Sequence, residues 1–391
     1  MGLDNNKYEG IDMHDKISTY NFKDIIANFN IAPGDYDIEP FGSGHINDTF
    51  LLTIGSGYDG AYLLQKINHF VFKNVDGLMT NMLHVINHLK GKAGTSGDPA
   101  KEILTLVPCK DNKYYWQDDQ GNYWRMTYFL KDTQSYDLVT TVKQAYQGGA
   151  AFGNFHWLLC DLDPALLVDT IPDFLNIEKR LDNLQRAIEK DSVGVVKQVQ
   201  PELLYLLEYA SSMGEISQLG RAGILPLRIT HNDTKFNNIL LNQYDEVQCV
   251  IDLDTVMPGF VAYDFGDAIR SIINTAAEDE KNLDAIQLNM PLFEAFVKGY
   301  LSKTVCFLTE QELKSLVKGA LLLPYMQAVR FLTDYLEGDV YYKTHFPGHN
   351  LQRARAQMQL FKMLESKKDE LTNIVQQQWL LIKNDLKALN A

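Results

Sequence analysis

The residues from Ile229 to Arg270 read ITHNDTKFNNILLNQYDEVQCVIDLDTVMPGFVAYDFGDAIR, and within them His231-Asn-Asp233-Thr-Lys235-Phe-Asn-Asn238 has the form H-x-D-x-K-x-x-N. Asp252 follows Asp233 by 19 residues, at the end of the apolar run Val250-Ile251, and a further acid stands at Asp254. A carboxylate, a lysine two residues on and an amide five residues on fit one short loop. These types suit phosphoryl transfer from a nucleotide, which needs an acceptor for the incoming hydroxyl's proton, ligands for Mg²⁺, and positive charge near the phosphoryl group. Asp233 fits the first need and Lys235 the last. Asn238 and Asp252 offer the oxygen donors that Mg²⁺ prefers, since it takes one or two carboxylates beside phosphate oxygens and water. Asp254 is either a further metal ligand or a cap for the turn that follows.

Two short apolar strands, Asn238 to Asn242 and Val247 to Asp252, are expected around the polar turn Gln243 to Glu246. A hairpin of that length brings Asn238 and Asp252 to one place. His231 reads as a structural residue that holds the loop through its ring nitrogens. Asp264, in Tyr-Asp-Phe-Gly, reads as a helix N-cap or a brace for the loop.

This spacing resembles the catalytic loop of protein kinases and of the aminoglycoside phosphotransferase and choline kinase group. The resemblance implies that Asp233 is the base, that Asn238 and the later Asp252 hold Mg²⁺, and that Asp264 braces the loop. The wording HNDTKFNN is similar to that of the bacterial N-acetylhexosamine 1-kinases, as are Gly42-Ser-Gly-His45-Ile-Asn47-Asp-Thr and the segment from Arg330 through Asp334 and Asp339 to Tyr341. The likeness implies ATP and Mg²⁺ as cofactors and a small-molecule sugar as acceptor, with Arg330 and Tyr341 directed at the sugar. The product would be the 1-phosphate of N-acetylglucosamine or N-acetylgalactosamine. The same machinery also serves choline, an aminoglycoside, methylthioribose or homoserine. A nucleotide-binding regulator without catalysis is the reading from another class, and the intact Asp233, Asn238 and Asp252 stand against it.

The elements that must position these residues follow from pattern. Ile17, Tyr20, Ile25, Ile26 and Phe29 recur at helical spacing before Pro33-Gly34. Thr49 to Ile54 and Ala61 to Ile67 read as a strand pair. Gly42, Ser43 and Gly44 lie just ahead of the first, where a glycine-rich turn lets backbone amides approach phosphates. The kinase loop's third glycine is replaced here by Asn47, which makes His45 and Asn47 candidates for contacts to substrate or nucleotide. The returning strand carries Gln65 and Lys66, of which alternation lets only one face the nucleotide. Protein kinases pair such a lysine with a glutamate on the next helix, yet no glutamate lies between Asn74 and Lys90. Three more strands are expected over Ile103 to Val107, Lys113 to Gln117 and Tyr123 to Phe129, and together with the first pair they make a five-stranded antiparallel sheet. From Tyr136 the pattern turns helical, with His156 on an apolar face as a packing histidine. Helices are expected at 176–190, 201–213, 264–277, 284–301, 309–336 and 350–388. Arg330 and Asp334, one turn apart, could form an i,i+4 ion pair instead of a ligand site.

Strands first and helices afterwards give an α+β, protein-kinase-like two-lobed fold. The expected division is an N-terminal helical extension at 1–35, a nucleotide-binding N-lobe at 36–131, and a helical C-lobe at 132–391. A chain of 391 residues exceeds what one core usually fills. A net charge of −14 makes nucleic acid or an anionic membrane surface a poor partner. No run reaches the roughly 18 apolar residues of a membrane span. The first 20 residues show no secretory pattern, so a cytoplasmic protein is expected. Cys109, Cys160, Cys249 and Cys306 form no C-x-x-C pair and read as reduced, buried thiols.

Overall fold

The sheet of the first unit forms where apolar and β-branched residues alternate between turns. In the computed structural model, which describes residues 19–42, 46–55, 60–92 and 103–389, it has the strands β1 (Asp37–Pro40), β2 (Asp48–Thr53), β3 (Tyr62–Ile67), β4 (Trp116–Gln117) and β5 (Tyr123–Tyr128). The order is β1-β2-β3-β5-β4, and every neighbouring pair is antiparallel. The chain divides between Thr133 and Gln134 into two compact units. The first carries this sheet, and the second is mainly helical, so the fold is α+β.

The five strands are not quite those expected. The fifth is Asp37–Pro40, not Ile103 to Val107. The latter stretch runs beside β5, where Val107 N–H donates to Met126 O (2.8 Å) and Tyr128 N–H to Thr105 O (3.0 Å), but it forms only an isolated bridge. It shares one edge of β5 with the two-residue β4, so neither has room for a long ladder. The expected helix near the start is also shorter: α1 spans only Phe22–Ile26, capped by the Asn21 side chain. Its Phe22 and Ile25, with Phe29, pack on Phe50, Leu64, Trp124 and Met126, covering one face of the sheet. The other face meets α2 (Val75–Lys92), whose buried Leu78, Met79, Met82, Val85, Ile86 and Leu89 form the expected stripe. The polar stretch 1–15 lies outside the described residues.

The second unit begins with α3 (Val142–Leu159), then α4 (Ile177–Lys190), α5 (Gln200–Met213) and α6 (Glu215–Arg221). Four short strands follow: β6 (Arg228–Thr230), β7 (Ile239–Asn242), β8 (Val247–Val250) and β9 (Met257–Gly259). After them come α7 (Val261–Ile272), α8 (Met290–Thr304), α9 (Glu310–Glu337), α10 (His349–Ser366) and α11 (Lys368–Leu389). The last two were expected as one helix over 350–388; the turn breaks at Lys367, with φ −110 and ψ 6.

Helix α9 organises this unit. It starts on a capping box in which Thr309 Oγ1 accepts from Glu312 N–H (3.1 Å) and Glu312 Oε2 accepts from Thr309 N–H (2.8 Å). Gly319 of α9 and Gly266 of α7 let the helix backbones touch, since a Cβ on Gly266 would stand 2.2 Å from Gly319 O. That close approach fixes α7, and α7 carries the acids that hold the catalytic-type loop. Among the described residues no helix is long and apolar enough to cross a membrane. The cysteines form no disulfide, but only Cys109 and Cys249 are buried; Cys306 is exposed, against the expectation of buried thiols throughout.

Candidate active site

The loop after β6 is held from both ends. β6 pairs antiparallel with β9, Thr230 opposite Met257, a strand the sequence reading did not foresee. Arg228 anchors β6 by donating from Nε (2.9 Å) and Nη2 (3.1 Å) to the two carboxylate oxygens of Glu312 on α9. Asn232 then takes a left-handed φ of +63, which asparagine tolerates better than most residues. Its Oδ1 accepts from Thr230 Oγ1 (3.0 Å) and its Nδ2 donates to Thr255 O (2.9 Å).

Asp264 is the brace and not the N-cap of α7, a place that Phe260 takes. Its carboxylate, 1% exposed, accepts from His231 N–H (2.6 Å), Asn232 N–H (2.7 Å) and His156 Nε2 (2.7 Å). Thr234 Oγ1 donates to its backbone carbonyl at 2.6 Å. A buried carboxylate is costly unless satisfied in this way, and charge-assisted bonds are about twice as strong as neutral ones. His156 is a packing histidine as expected, its Nδ1 lying 2.9 Å from the Tyr300 hydroxyl. His231 also holds the loop through its ring: Nε2 lies 2.8 Å from Ile251 O, and Nδ1 accepts from Asp233 N–H at 3.3 Å. The first of these bonds ties the loop to the strand that delivers Asp252.

The expected hairpin is present as β7 and β8, and Ile251 N–H donates to Asn238 O (2.9 Å), extending the pairing to the residue beside Asp252. Asn238 Nδ2 donates to Asp233 O (2.8 Å) and Oδ2 (3.2 Å). With its amide nitrogen turned to Asp233, the Asn238 oxygen is the atom left for a cation. Asp252 is exposed at φ +60, whereas Asp254 is buried at 2% exposure. Of the two acids, Asp252 is the one open to solvent. An amide oxygen and a carboxylate make a hard oxygen donor set that fits Mg²⁺. Among the described residues no three His, Cys, Asp or Glu side chains converge to hold a metal by themselves, so nucleotide phosphates would have to complete the shell.

Lys235 Nζ stands 3.1 Å from Asp233 Oδ2. Burial works against its charge, but Asp233, Asp267 and Asp252 outweigh that and push its pKa above the ordinary lysine value. The Ile251 N–H bond to Asn238 O sets the neighbouring Asp252 beside the end of the loop. Asp233, Lys235, Asn238 and Asp252 are therefore brought together.

The candidates in the first unit separate by face. Tyr62, Leu64 and Lys66 point toward the extension, where Lys66 Nζ donates to the Tyr20 hydroxyl (2.9 Å) and lies 4.9 Å above its ring. Gln65 lies on the α2 face, accepting at Oε1 from Arg125 Nε (2.9 Å). Arg125, 2% exposed and cross-strand from Gln65, reaches Met82 Sδ on α2. It was missed because it looked like one more residue of a strand; the register of β3 against β5 was the missing signal. Gly42 sits at φ +77, and Asn47 Oδ1 accepts from Asn68 N–H (2.9 Å), stitching the loop to the end of β3. Ser43, Gly44 and His45 lie outside the described residues.

Arg330 does not pair with Asp334. The Asp334 carboxylate is taken by the backbone amides of Val340 (3.0 Å), Tyr341 (2.8 Å) and Tyr342 (3.0 Å) and by Asn350 Nδ2 (2.8 Å). The i,i+4 pair fails because a run of unpaired amides after the helix end competes better for the carboxylate. Gly338, at φ +97, allows the turn that brings these amides back. Arg330 donates to Gln327 Oε1 (2.8 Å) and stacks 5.4 Å over the ring of Tyr342, while Tyr341 is 69% exposed with its ring edge-on to Tyr342 at 4.8 Å. Burial, then the nearby Arg330, holds the Arg180 guanidinium below its ordinary pKa, so two cations share this corner.

Further residues link that corner to the loop. Arg270 donates from Nε (3.1 Å) and Nη2 (2.9 Å) to Asp267 Oδ1, and from Nη1 to Glu278 (2.9 Å). Burial pushes the Tyr342 phenol up to about 12, Arg330 opposes the rise, and Tyr341 and Glu278 add to it. Asp264, Asp267 and Arg270 recur at i, i+3 and i+6, a helical spacing that could have flagged Asp267 and Arg270 in the sequence.

Residues 37–296 match the model of a family described as the phosphotransferase enzyme family. Similar solved structures include an aminoglycoside phosphotransferase from Alicyclobacillus acidocaldarius, at 12% identity, TM-score 0.57, and coverage of 91% of this chain and 96% of that one. An amicoumacin kinase, solved with AMP-PNP, Ca²⁺ and amicoumacin, matches at 14% identity, TM-score 0.56 and coverage of 88% and 96%. A choline kinase from Cryptosporidium parvum matches at 15% identity, TM-score 0.54 and coverage of 88% and 97%. At these identities the structural likeness speaks to the fold.

Proposed function

Because this chain belongs to the phosphotransferase enzyme family, whose model spans well over half of it, we propose that it transfers the γ-phosphoryl group of ATP to the anomeric hydroxyl of an N-acetylhexosamine. The observation that carries the phosphotransfer reading is the meeting of Asp233, Lys235, Asn238 and Asp252 around one loop that Asp264 holds rigid. Asp233 accepts the proton of the attacking hydroxyl, or orients that hydroxyl, a contribution of about 10²–10⁴ in rate. Lys235, kept charged by the surrounding acids, neutralises the γ-phosphoryl oxygens as ADP departs. Asn238 and Asp252, with Asp254 behind them, would hold Mg²⁺, which when bound supplies positive charge to the phosphates. Gly42, Ser43 and Gly44, with Gln65 and Arg125 on one face of the N-terminal sheet, serve the nucleotide. Such a kinase works where ATP is abundant, in the cytoplasm.

The sugar reading rests on Arg330, Tyr341 and Tyr342, a forked donor beside aromatic faces, which suit a pyranose carrying an acetamido group. His45 and Asn47 complete the proposed contacts. An ADP-release screen across N-acetylhexosamines, plain hexoses, choline and aminoglycosides tests this. Turnover with N-acetylglucosamine or N-acetylgalactosamine is expected, and turnover confined to choline or aminoglycosides would replace the acceptor while leaving the transfer chemistry in place. Arg330→Ala should raise the sugar KM about tenfold, the scale of one charged hydrogen bond, with the ATP KM unchanged. The reverse pattern would move Arg330 to the nucleotide side.

A further inference from the structure

The Asp267–Arg270 pair has an unusual arrangement for a buried arginine and carboxylate. Such pairs commonly join fork to fork, two nitrogens to two oxygens. Here both Arg270 bonds fall on Asp267 Oδ1, at 3.1 and 2.9 Å, and Oδ2 is buried without any hydrogen-bond partner. Asp267 is 6% exposed and Arg270 7%, so the pair sits within the fold. A buried, unpaired carboxylate oxygen is costly, and native proteins keep few of them without a use.

Its place on the helix says what that use is. Asp267 lies one turn after Asp264 on α7, so the two share a face. That face meets the catalytic-type loop, since Asp264 binds the amides of His231 and Asn232 and its carbonyl receives the Thr234 hydroxyl. Arg270 reaches on to Glu278, whose neighbour Asp279 bonds His349 Nε2 (2.9 Å); the next residue, Asn350, donates to the Asp334 carboxylate (2.8 Å) that also receives Tyr342 N–H (3.0 Å), and Arg330 stacks on the Tyr342 ring. The Tyr342 hydroxyl and Arg180 Nε are likewise buried without partners. The Asp267 carboxylate oxygen, the Tyr342 phenol and an Arg180 guanidinium N–H are thus three unsatisfied polar atoms of this unit.

The geometry points to Asp267 as a specificity-determining residue of the acceptor site, its free oxygen receiving a hydrogen bond from a sugar hydroxyl while Arg270 holds it in place. This rests on the sugar reading above and deepens it. A sugar hydroxyl can donate to such a carboxylate oxygen. A quaternary ammonium acceptor has no N–H and would leave Oδ2 unpaired.

The test pairs Asp267→Asn with a series of mono-deoxy N-acetylhexosamines, in a steady-state assay at saturating ATP. The variant should raise the KM of the parent sugar roughly 10- to 100-fold, the span of a hydrogen bond to a charged group, with the ATP KM held. One deoxy sugar should cost the wild-type enzyme a comparable factor, and that loss should vanish in the variant, because the same bond is absent either way. A merely structural role for Asp267 would make every deoxy loss add to the mutational loss, and that result would overturn the inference. Wild-type failure to phosphorylate any sugar would instead sink the acceptor reading, and the inference with it. Should Asp267→Asn not fold, Arg270→Lys keeps both charges while removing one of the bonds to Oδ1. It should show the same loss for the same deoxy sugar on a smaller scale, and additivity there would count equally against the assignment.

Discussion

The two units treat their candidate side chains in opposite ways. In the second unit the loop from His231 to Asn238 is fixed by hydrogen bonds from buried groups, chiefly Asp264, His231 and Asn232. In the first unit the corresponding choice was made by sheet pleat and register. Gln65 and Arg125 fall on the α2 face, and Lys66 falls on the face covered by Tyr20. A loop held by polar contacts announces itself in sequence because those contacts demand particular residue types at fixed spacing. A strand position does not, because a one-residue step exchanges the faces while the composition stays the same.

The comparison can be broken most severely at Asp233. Asp233→Asn should lower turnover by at least about 10²–10⁴, the worth of a positioned base, while calorimetry still shows nucleotide binding. Near-wild-type turnover would mean that the tightly held loop is only a scaffold. A smaller effect sharpens the other side. Arg125→Gln should raise the ATP KM about tenfold, as the loss of one charged hydrogen bond would, whereas Lys66→Met should leave it nearly unchanged. Equal effects of the two variants would show that the face of the strand does not decide nucleotide contact. Their melting temperatures separate a fold defect from a binding defect, since Arg125 is buried and Lys66 is only partly so.

The smallest effect concerns the segment that carries Glu278. The His349 ring nitrogen bonds Asp279 at 2.9 Å and holds the Asp279 carboxyl below the ordinary range. A depressed carboxylate pKa adds stability that is fully present above the unfolded value of about 3.9 and is lost as pH falls through the lower folded value. Denaturant melts of wild type and Asp279→Asn should therefore differ at pH 7 by less than about 1 kcal/mol and converge once the pH has fallen below the lowered folded value. A difference that grew on acidification would have the wrong sign for this pair.

Much of the second unit was legible because its signals are local. The hairpin from Asn238 to Asp252 needed only two apolar runs and a polar turn. The helix stripes at 176–190, 201–213 and 309–336 appear within about a turn of their expected ends. The misses share one cause. Ile103 to Val107 had strand character, but whether a fifth strand forms depends on which segments reach the free edges of the sheet. Asp334 had a cation one turn away, but the backbone amides of residues 340–342, returned by the turn at Gly338, proved better partners.

The sequence by itself determined which chemistry is on offer. Acid, lysine, amide and acid at that spacing are adjacent along the chain or joined by a tight hairpin, so local geometry brings them together. Tertiary structure alone decided which side chains are spent on the fold and which keep an unused atom. Asp264 and Asp267 are the same residue type three positions apart, yet one has its carboxylate bound by three donors and the other retains a bare oxygen. That difference comes from partners far along the chain, the amides after β6 and the reach of Arg270 to Glu278, and hydrogen-bond satisfaction is a property of neighbours in space.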